Sequence, residues 1–320
     1  MKKCTLVILL ALLGTSSWAV AQNYPTRPVR LIVASSPGGG SDIIGRMVAQ
    51  KLSEEYGQQF IVDNRGGASG VIGTDIVAKA APDGYTLLII QPSLTINPSM
   101  IQKLPYDTAR DFTPIALLVD ASQILSVHPS VAAKTTKDLI ALAKAKPGIL
   151  TFASPGIGTS PHLTAELFKL KAGVDMPQVL FKGFGLAVIS LIAGEVQVSF
   201  STILSVQPHV KSGKLRALGV STAKRVQVLP DVPTISESGL PGFATSQWFG
   251  ILGPARLPRP IVDRLYDSLA RATSTPEMKE RFAAQGVEVV NSKPEEFAAV
   301  IKRELVQWAE VIKAAGIKPQ

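Results

Sequence analysis

Apolar and polar positions switch between two periods along this chain, spelling strands and helices in alternation. Val29 to Ala34 is a continuous apolar run of strand length, after which Ile43, Ile44, Met47, Val48 and Leu52 recur at helical spacing. Phe60 to Val62 predicts a second strand. After the turn Asp63 to Gly70, Ile72, Ile76 and Ala80 predict a second helix, Pro82-Asp83-Gly84 its stop, and Thr86 to Ile90 a third strand. Short apolar strands joined by helical crossovers imply a parallel sheet covered on both faces, and such sheets bind ligands beyond the carboxyl ends of their strands.

The pattern restarts after a linking strand around Ile115 to Val127. Helices are expected at Asp138 to Ala145, Pro161 to Leu170 and Ala187 to Ala193, and strands at Leu150 to Ala153, Val179 to Phe181, Val196 to Phe200 and Leu215 to Val220. A turn-rich stretch, Asp231 to Gly242, precedes a return strand at Trp248 to Gly253. The tail is helical: Ile261 to Ala272, Pro276 to Gln285 and Pro294 to Ala315. It contains too few strands for a sheet of its own, so it should pack back on the first lobe. The expected organisation is lobe I over 22–120 and 253–320, lobe II over 121–252, and two crossings between them.

Two strand-to-helix junctions share a spelling: Ser36-Pro37-Gly38-Gly39-Gly40-Ser41 and Ser154-Pro155-Gly156-Ile157-Gly158-Thr159. Glycines let backbone approach a ligand, first-turn N–H groups lack intrahelical partners, and the helix dipole adds partial positive charge. A pair of such loops suits one anion gripped by two lobes. Turn chemistry alone also places Gly, Ser and Pro at such junctions.

Composition narrows the class. Lys2 and Lys3, the apolar run Leu6 to Leu13 and Ala19-Val20-Ala21 form an export leader over residues 1–21, with the mature chain starting at Gln22. That run is too short to span a bilayer, so export to the periplasm without membrane insertion is expected. The single cysteine, Cys4, lies in the leader, which leaves no disulfide, thiolate nucleophile or Cys-ligated metal. A formal charge of +9 draws small anions, while dispersed basic residues and only 6% aromatics argue against nucleic acid.

Catalytic and cofactor signatures are missing. His128, His162 and His209 are far apart and have no metal-ligand spacing; Gly67-Ala68-Ser69-Gly70 fails as a nucleophile elbow at Val71; neither Walker A nor G-x-G-x-x-G occurs. No cofactor is expected. His162, on the first turn of its helix, suits either a hydrogen bond to a carboxylate or a capping and packing role. Asp42 suits its own helix end better than an anionic ligand. Phe181, at a strand end, suits cleft or core.

The chain resembles the solute-binding proteins of tripartite tricarboxylate transporters, the Bug-type family. The anchors are Tyr24-Pro25-x-Arg27-Pro28, Pro37-Gly38-Gly39-Gly40-Ser41-Asp42, Asn64-Arg65, Pro82-Asp83-Gly84-Tyr85-Thr86-Leu87, Lys182-Gly183, Leu229-Pro230-Asp231-Val232-Pro233-Thr234, and Trp248 with Gly250. They run in order through essentially the whole mature chain. The resemblance implies a type II periplasmic-binding-protein fold, two doubly wound α/β lobes closing on a solute cleft. It implies a monomeric receptor that hands a small carboxylate to inner-membrane permease subunits, with no catalytic residue.

By motif, the resemblance places ligand contacts at Ser36, Gly38, Gly39, Gly40 and Ser41, at Ala68, Ser69 and Gly70, and at Ser93. From lobe II it adds Ser154, Gly158, Thr159, Ser160, His162 and Phe181. Departures are Leu180-Phe181-Lys182-Gly183, where the family commonly has a tyrosine, and Ser35 and Gln197, where Phe and Asp are common. A carboxylate without an amino group is therefore expected to bind better than aspartate or glutamate. The competing readings are a secreted hydrolase or lyase on the same fold and a solute sensor.

Overall fold

The structure, a computed structural model, describes residues 24–35, 37, 40–181, 184–284 and 286–319. Eleven strands form two sheets among these residues. The first sheet contains β1 (Val29–Val33), β2 (Phe60–Asn64), β3 (Thr86–Ile90), β4 (Phe112–Ala121), β10 (Gln247–Pro254) and β11 (Glu288–Ser292), in the order β11-β4-β10-β3-β1-β2. The second contains β5 (Gln123–Val127), β6 (Phe152–Ser154), β7 (Gln178–Leu180), β8 (Val198–Thr202) and β9 (Arg216–Val220), in the order β7-β6-β8-β5-β9.

Alternation along β1 explains the layering. Leu31 and Val33 pack with Ile44 and Val48 of α1 (Gly40–Tyr56) and Leu265 of α8 (Arg259–Ser274), whereas Ile32 packs on the other face with Val77 of α2 (Val71–Ala78). Successive strand residues point to opposite faces, so a run apolar at every position signals burial on both. The second sheet repeats this. Leu125 packs with Leu163, Leu167 and Phe168 of α5 (Ser160–Ala172), and Ile124 with Ala187 and Leu191 of α6 (Phe184–Ala193). Two α/β layers of this kind constitute a type II binding-protein fold.

Three elements escape the periodicity: α3 (Ser93–Met100) with Pro98 inside it, α7 (Ile203–Lys211) with Pro208 inside it, and β11. Interior prolines mask a helical signal, and β11 is a half-exposed edge strand held by pairing with β4. Two expectations about chain path also change. The second crossing comes earlier than 252/253, because β10 from Gln247 onward lies between β3 and β4. And the tail does not pack only on the first lobe: of the helix pair following α8, α9 (Pro276–Ala284) stays there, but α10 (Pro294–Ala314) sends Phe297 and Ile301 into the first core and Trp308, Val311 and Ile312 into the second.

Between the sheets the chain passes through Ser122 on one strand and Ser246 on the other. The Ser221 N–H donates to Gln123 O at 2.8 Å, the Thr245 N–H donates to Ser221 O at 2.8 Å, and Ser221 Oγ donates to Thr245 O at 3.0 Å, so the two crossings are stitched together.

Candidate functional site

The carboxyl ends of β1, β2 and β3 align, since Val33 pairs with Asn64 on one side and Ile89 on the other. Each strand therefore delivers its following helix to the same edge, where α1 opens at Gly40, α2 follows a left-handed turn Ala68–Gly70, and α3 opens at Ser93. From the second sheet, β6 delivers the N-terminus of α5 at Ser160. These four helix starts surround a cleft of about 460 Å³.

Its lining includes Gly40, Ser41, Ser69, Gly70 and Ser93 from one side and Gly158, Thr159 and Ser160 from the other. Eight of the residues expected from sequence are thus brought together. Sequence reasoning missed Gln91, Ile96, Asn97 and Gln247, which also line it, as does Ser35, named from sequence only as a departure from the family pattern. A strand followed by Gln91-Pro92-Ser93 was the available signal for α3, obscured by Pro98. None of the described lining residues carries a charged side chain. The anion-favouring field comes instead from helix ends, each worth about 0.3–1 kcal/mol at an exposed site.

The remaining expected residues lie elsewhere or outside the described ones. Ser36, Gly38 and Gly39 fall outside the described residues. Ala68, Ser154, His162 and Phe181 are not in the lining. Ser154 is fully buried, with its Oγ directed at Gly156 O (3.3 Å), and Phe181 packs against the apolar cluster around α6. Gln197 accepts from Thr151 N and Oγ1 at 3.0 Å, holding the base of β6 away from the cleft.

His162 is engaged by its own loop and by the strand behind it. Its Nδ1 accepts the Gly158 N–H at 3.1 Å and its ring stacks 6.4 Å from Phe152. Desolvation by burial, with Lys169 nearby, brings its pKa down to about 4, so the ring stays neutral and fixes the Gly158 loop. Asp42 is engaged by Arg46 and Asn64, each at 3.0 Å. The hydroxyl of Thr159 donates to Gly156 O at 2.7 Å, again bracing the loop.

On the facing lobe, Ala68 (φ 46°), Ser69 (φ 57°) and Gly70 (φ 89°) are successively left-handed. Each non-glycine residue in that region costs roughly 1–2 kcal/mol. Asn97 Nδ2 donates to Ser69 O at 3.0 Å and Thr74 Oγ1 to Gly70 O at 2.8 Å, which hold the turn in place. A Cβ on Gly70 would stand 3.0 Å from Ala34 O, so backbone packing as well as φ requires glycine there.

Beneath the cleft, Glu304 of α10 is 4% exposed and accepts from Trp248 Nε1 at 2.9 and 3.0 Å and from Thr95 Oγ1 at 2.8 Å. Burial raises its pKa to about 7. Asp120, at the end of β4 before the first crossing, is raised to about 6 by desolvation, with Ser246 facing it and Glu288 nearby. Among the described residues no cluster of His, Cys, Asp and Glu suits a metal ion, and no helix is long and apolar enough to cross a membrane.

Two α/β lobes stitched by crossing strands, with a neutral donor-rich cleft between them, define a solute-binding receptor rather than a catalytic site. The chain belongs to the tripartite tricarboxylate transporter family receptors, whose family model matches residues 44–317. It is similar to Protein BugT of Bordetella pertussis, 36% identical over 313 residues, covering 97% of this chain and 96% of that one. Among solved structures it is similar to R. palustris Rpa4515 with adipate, at 34% identity and TM-score 0.75, covering 93% of this chain and 100% of that one. It is also similar to MatC from Rhodopseudomonas palustris with bound malate, at 29% identity and TM-score 0.72, covering 90% and 100%. This chain is therefore a solute-binding receptor of the Bug-type class.

Proposed function

We propose that this protein is a periplasmic receptor that captures a small carboxylate between its lobes and delivers it to the permease of a tripartite tricarboxylate-type transporter, after export on the leader 1–21. The observation that carries this reading is the convergence of four helix N-termini on a cleft whose described lining holds no charged side chain. A micromolar site needs about 8 kcal/mol. Charge-assisted hydrogen bonds contribute roughly 1.5–3 kcal/mol each before the costs of association, so the contacts of both lobes are needed and one lobe alone does not suffice. Relatives described with adipate and malate support a carboxylate as the solute class.

Ser41, Ser69, Gly70 and Ser93 on one lobe and Gly158 and Ser160 on the other are the contacts this reading assigns. Calorimetry with a panel of mono- and dicarboxylates tests it, on the protein whose purified form begins at Gln22. At least one acid is expected to bind in the micromolar range or tighter, and Ser41→Ala and Ser160→Ala should each weaken it. Absence of binding by every acid would overturn the reading. Affinity unchanged in both variants would overturn the two-lobe grip.

A further inference from the structure

Gln247 is the first residue of β10, placed immediately after the second crossing and opposite Ala121, the last residue of β4 before the first crossing. Its side chain lines the cleft, yet its Oε1 is buried without a hydrogen-bond partner. Among the described lining residues, the other buried side-chain atom without a partner is the Ser35 hydroxyl. A buried acceptor left unpaired costs about 1–3 kcal/mol, so it marks where a ligand's donor belongs.

A carboxylate has no donor to offer. The lining already provides donors in number: the hydroxyls of Ser41, Ser69, Ser93 and Ser160 and the N–H groups of the helix starts. Ser160 is held as a donor, because Gln123 Nε2 can only donate and does so to Ser160 Oγ at 2.7 Å, leaving the hydroxyl proton free. An ammonium group would bring three donors and a full charge to a lining with no acidic side chain, and its desolvation would go unrepaid. A hydroxyl brings one donor and no charge, and it can also accept from Ser35. Ile96, Ile157, Pro92 and Pro161 supply the apolar remainder of the lining.

Resting on the carboxylate reading above, we propose that Gln247 is the specificity-determining residue and selects hydroxy acids by accepting a hydrogen bond from the solute hydroxyl. The strand position suits this role: Gln247 sits on the sheet beside the fully buried Trp248, so its amide is presented from a rigid element rather than a loop.

The test is calorimetry on matched acids differing in one group: lactate, pyruvate and propionate; 3-hydroxybutyrate, acetoacetate and butyrate; malate, succinate and aspartate. In at least one set the hydroxy acid should bind about 10–100-fold tighter than its partners, the range expected when a buried polar group is left unpaired by the analogue. Gln247→Met keeps the length and removes the acceptor; it should bring hydroxy and deoxy acids within about threefold of each other while its melting temperature stays near that of the parent protein. Gln247→Glu should shift preference from malate toward aspartate in the third set.

Equal binding of hydroxy and deoxy acids by the parent protein would overturn the inference and leave the carboxylate reading standing. Tighter binding of the oxo acid would overturn it by making the Gln247 amide a donor. A preference that survives in Gln247→Met would remove Gln247 from the role. If no acid of these sets binds while another carboxylate does, the inference falls and the carboxylate reading stands; if no carboxylate binds at all, both fall.

Discussion

Gly158 lies where the second-lobe loop meets the first lobe. With φ at 73° it is left-handed, and a Cβ there would stand 3.0 Å from Met100 Cε. Its N–H is fixed by His162, so the loop cannot relax to suit a side chain. Gly158→Ala is expected to cost about 1–2 kcal/mol of stability and to weaken solute binding. Gly185→Ala, in α6 with no atom within 4 Å of the added Cβ, should be neutral or stabilising. Chemical denaturation of the two variants checks the contrast, and equal effects would show that backbone conformation at 158 is not the constraint. Glycine at this position was legible in the sequence because turn chemistry is local. The hydrogen bond from Gly158 to His162 was not, since a histidine three residues into a helix reads alike whether it faces solute or a neighbouring loop.

At the scale of elements, α10 does what no amphipathic pattern announces. One stripe is apolar along its length, but its first half packs in one lobe and its last turns in the other. Glu304 sits at the changeover, tied to Trp248 of β10 and Thr95 of α3. Its folded pKa of about 7 is raised above the ordinary 4.5 of a glutamate, so its contribution is fully present below pH 4.5 and lost as pH rises through 7. Asp120 acts in the same direction, whereas His162, held near 4, opposes them by losing stability as pH falls below 6.5. Glu304→Gln isolates one contribution. Relative to this variant, the parent protein should lose on the order of 3 kcal/mol between pH 4.5 and 8, read by denaturation at each pH, and parallel profiles would refute the assignment.

For the whole molecule, the proposed solute site lies between two lobes that share two crossings and one spanning helix. A ligand touching both lobes favours the state in which they approach, so a saturating acid should reduce the radius of gyration measured by small-angle scattering. Trp308, fully buried, anchors the end of α10 in the second core, and Trp308→Ala should cost about 3–5 kcal/mol. Where the variant remains folded, its unliganded form should be more open than the parent protein and close further on binding. The same radius with and without solute in both proteins would argue against closure.

The sequence by itself determined the alternation of strand and helix and the turns spelled by Gly, Pro and Ser, because each depends on a few consecutive residues and on backbone conformation. Motifs in order along the chain also carried the family. Tertiary structure alone decided which residues meet across the cleft. Gln91 and Gln247 are brought to one cleft by β3 and β10, which pair antiparallel though more than 150 residues separate them. Ser154, expected at the start of its loop, is instead the last residue of β6 and fully buried, since pairing with β7 and not the motif decides where the strand ends. The path of α10 into both cores is of the same kind: its apolar stripe specifies that it must be buried, and only the placement of the two lobes specifies against what.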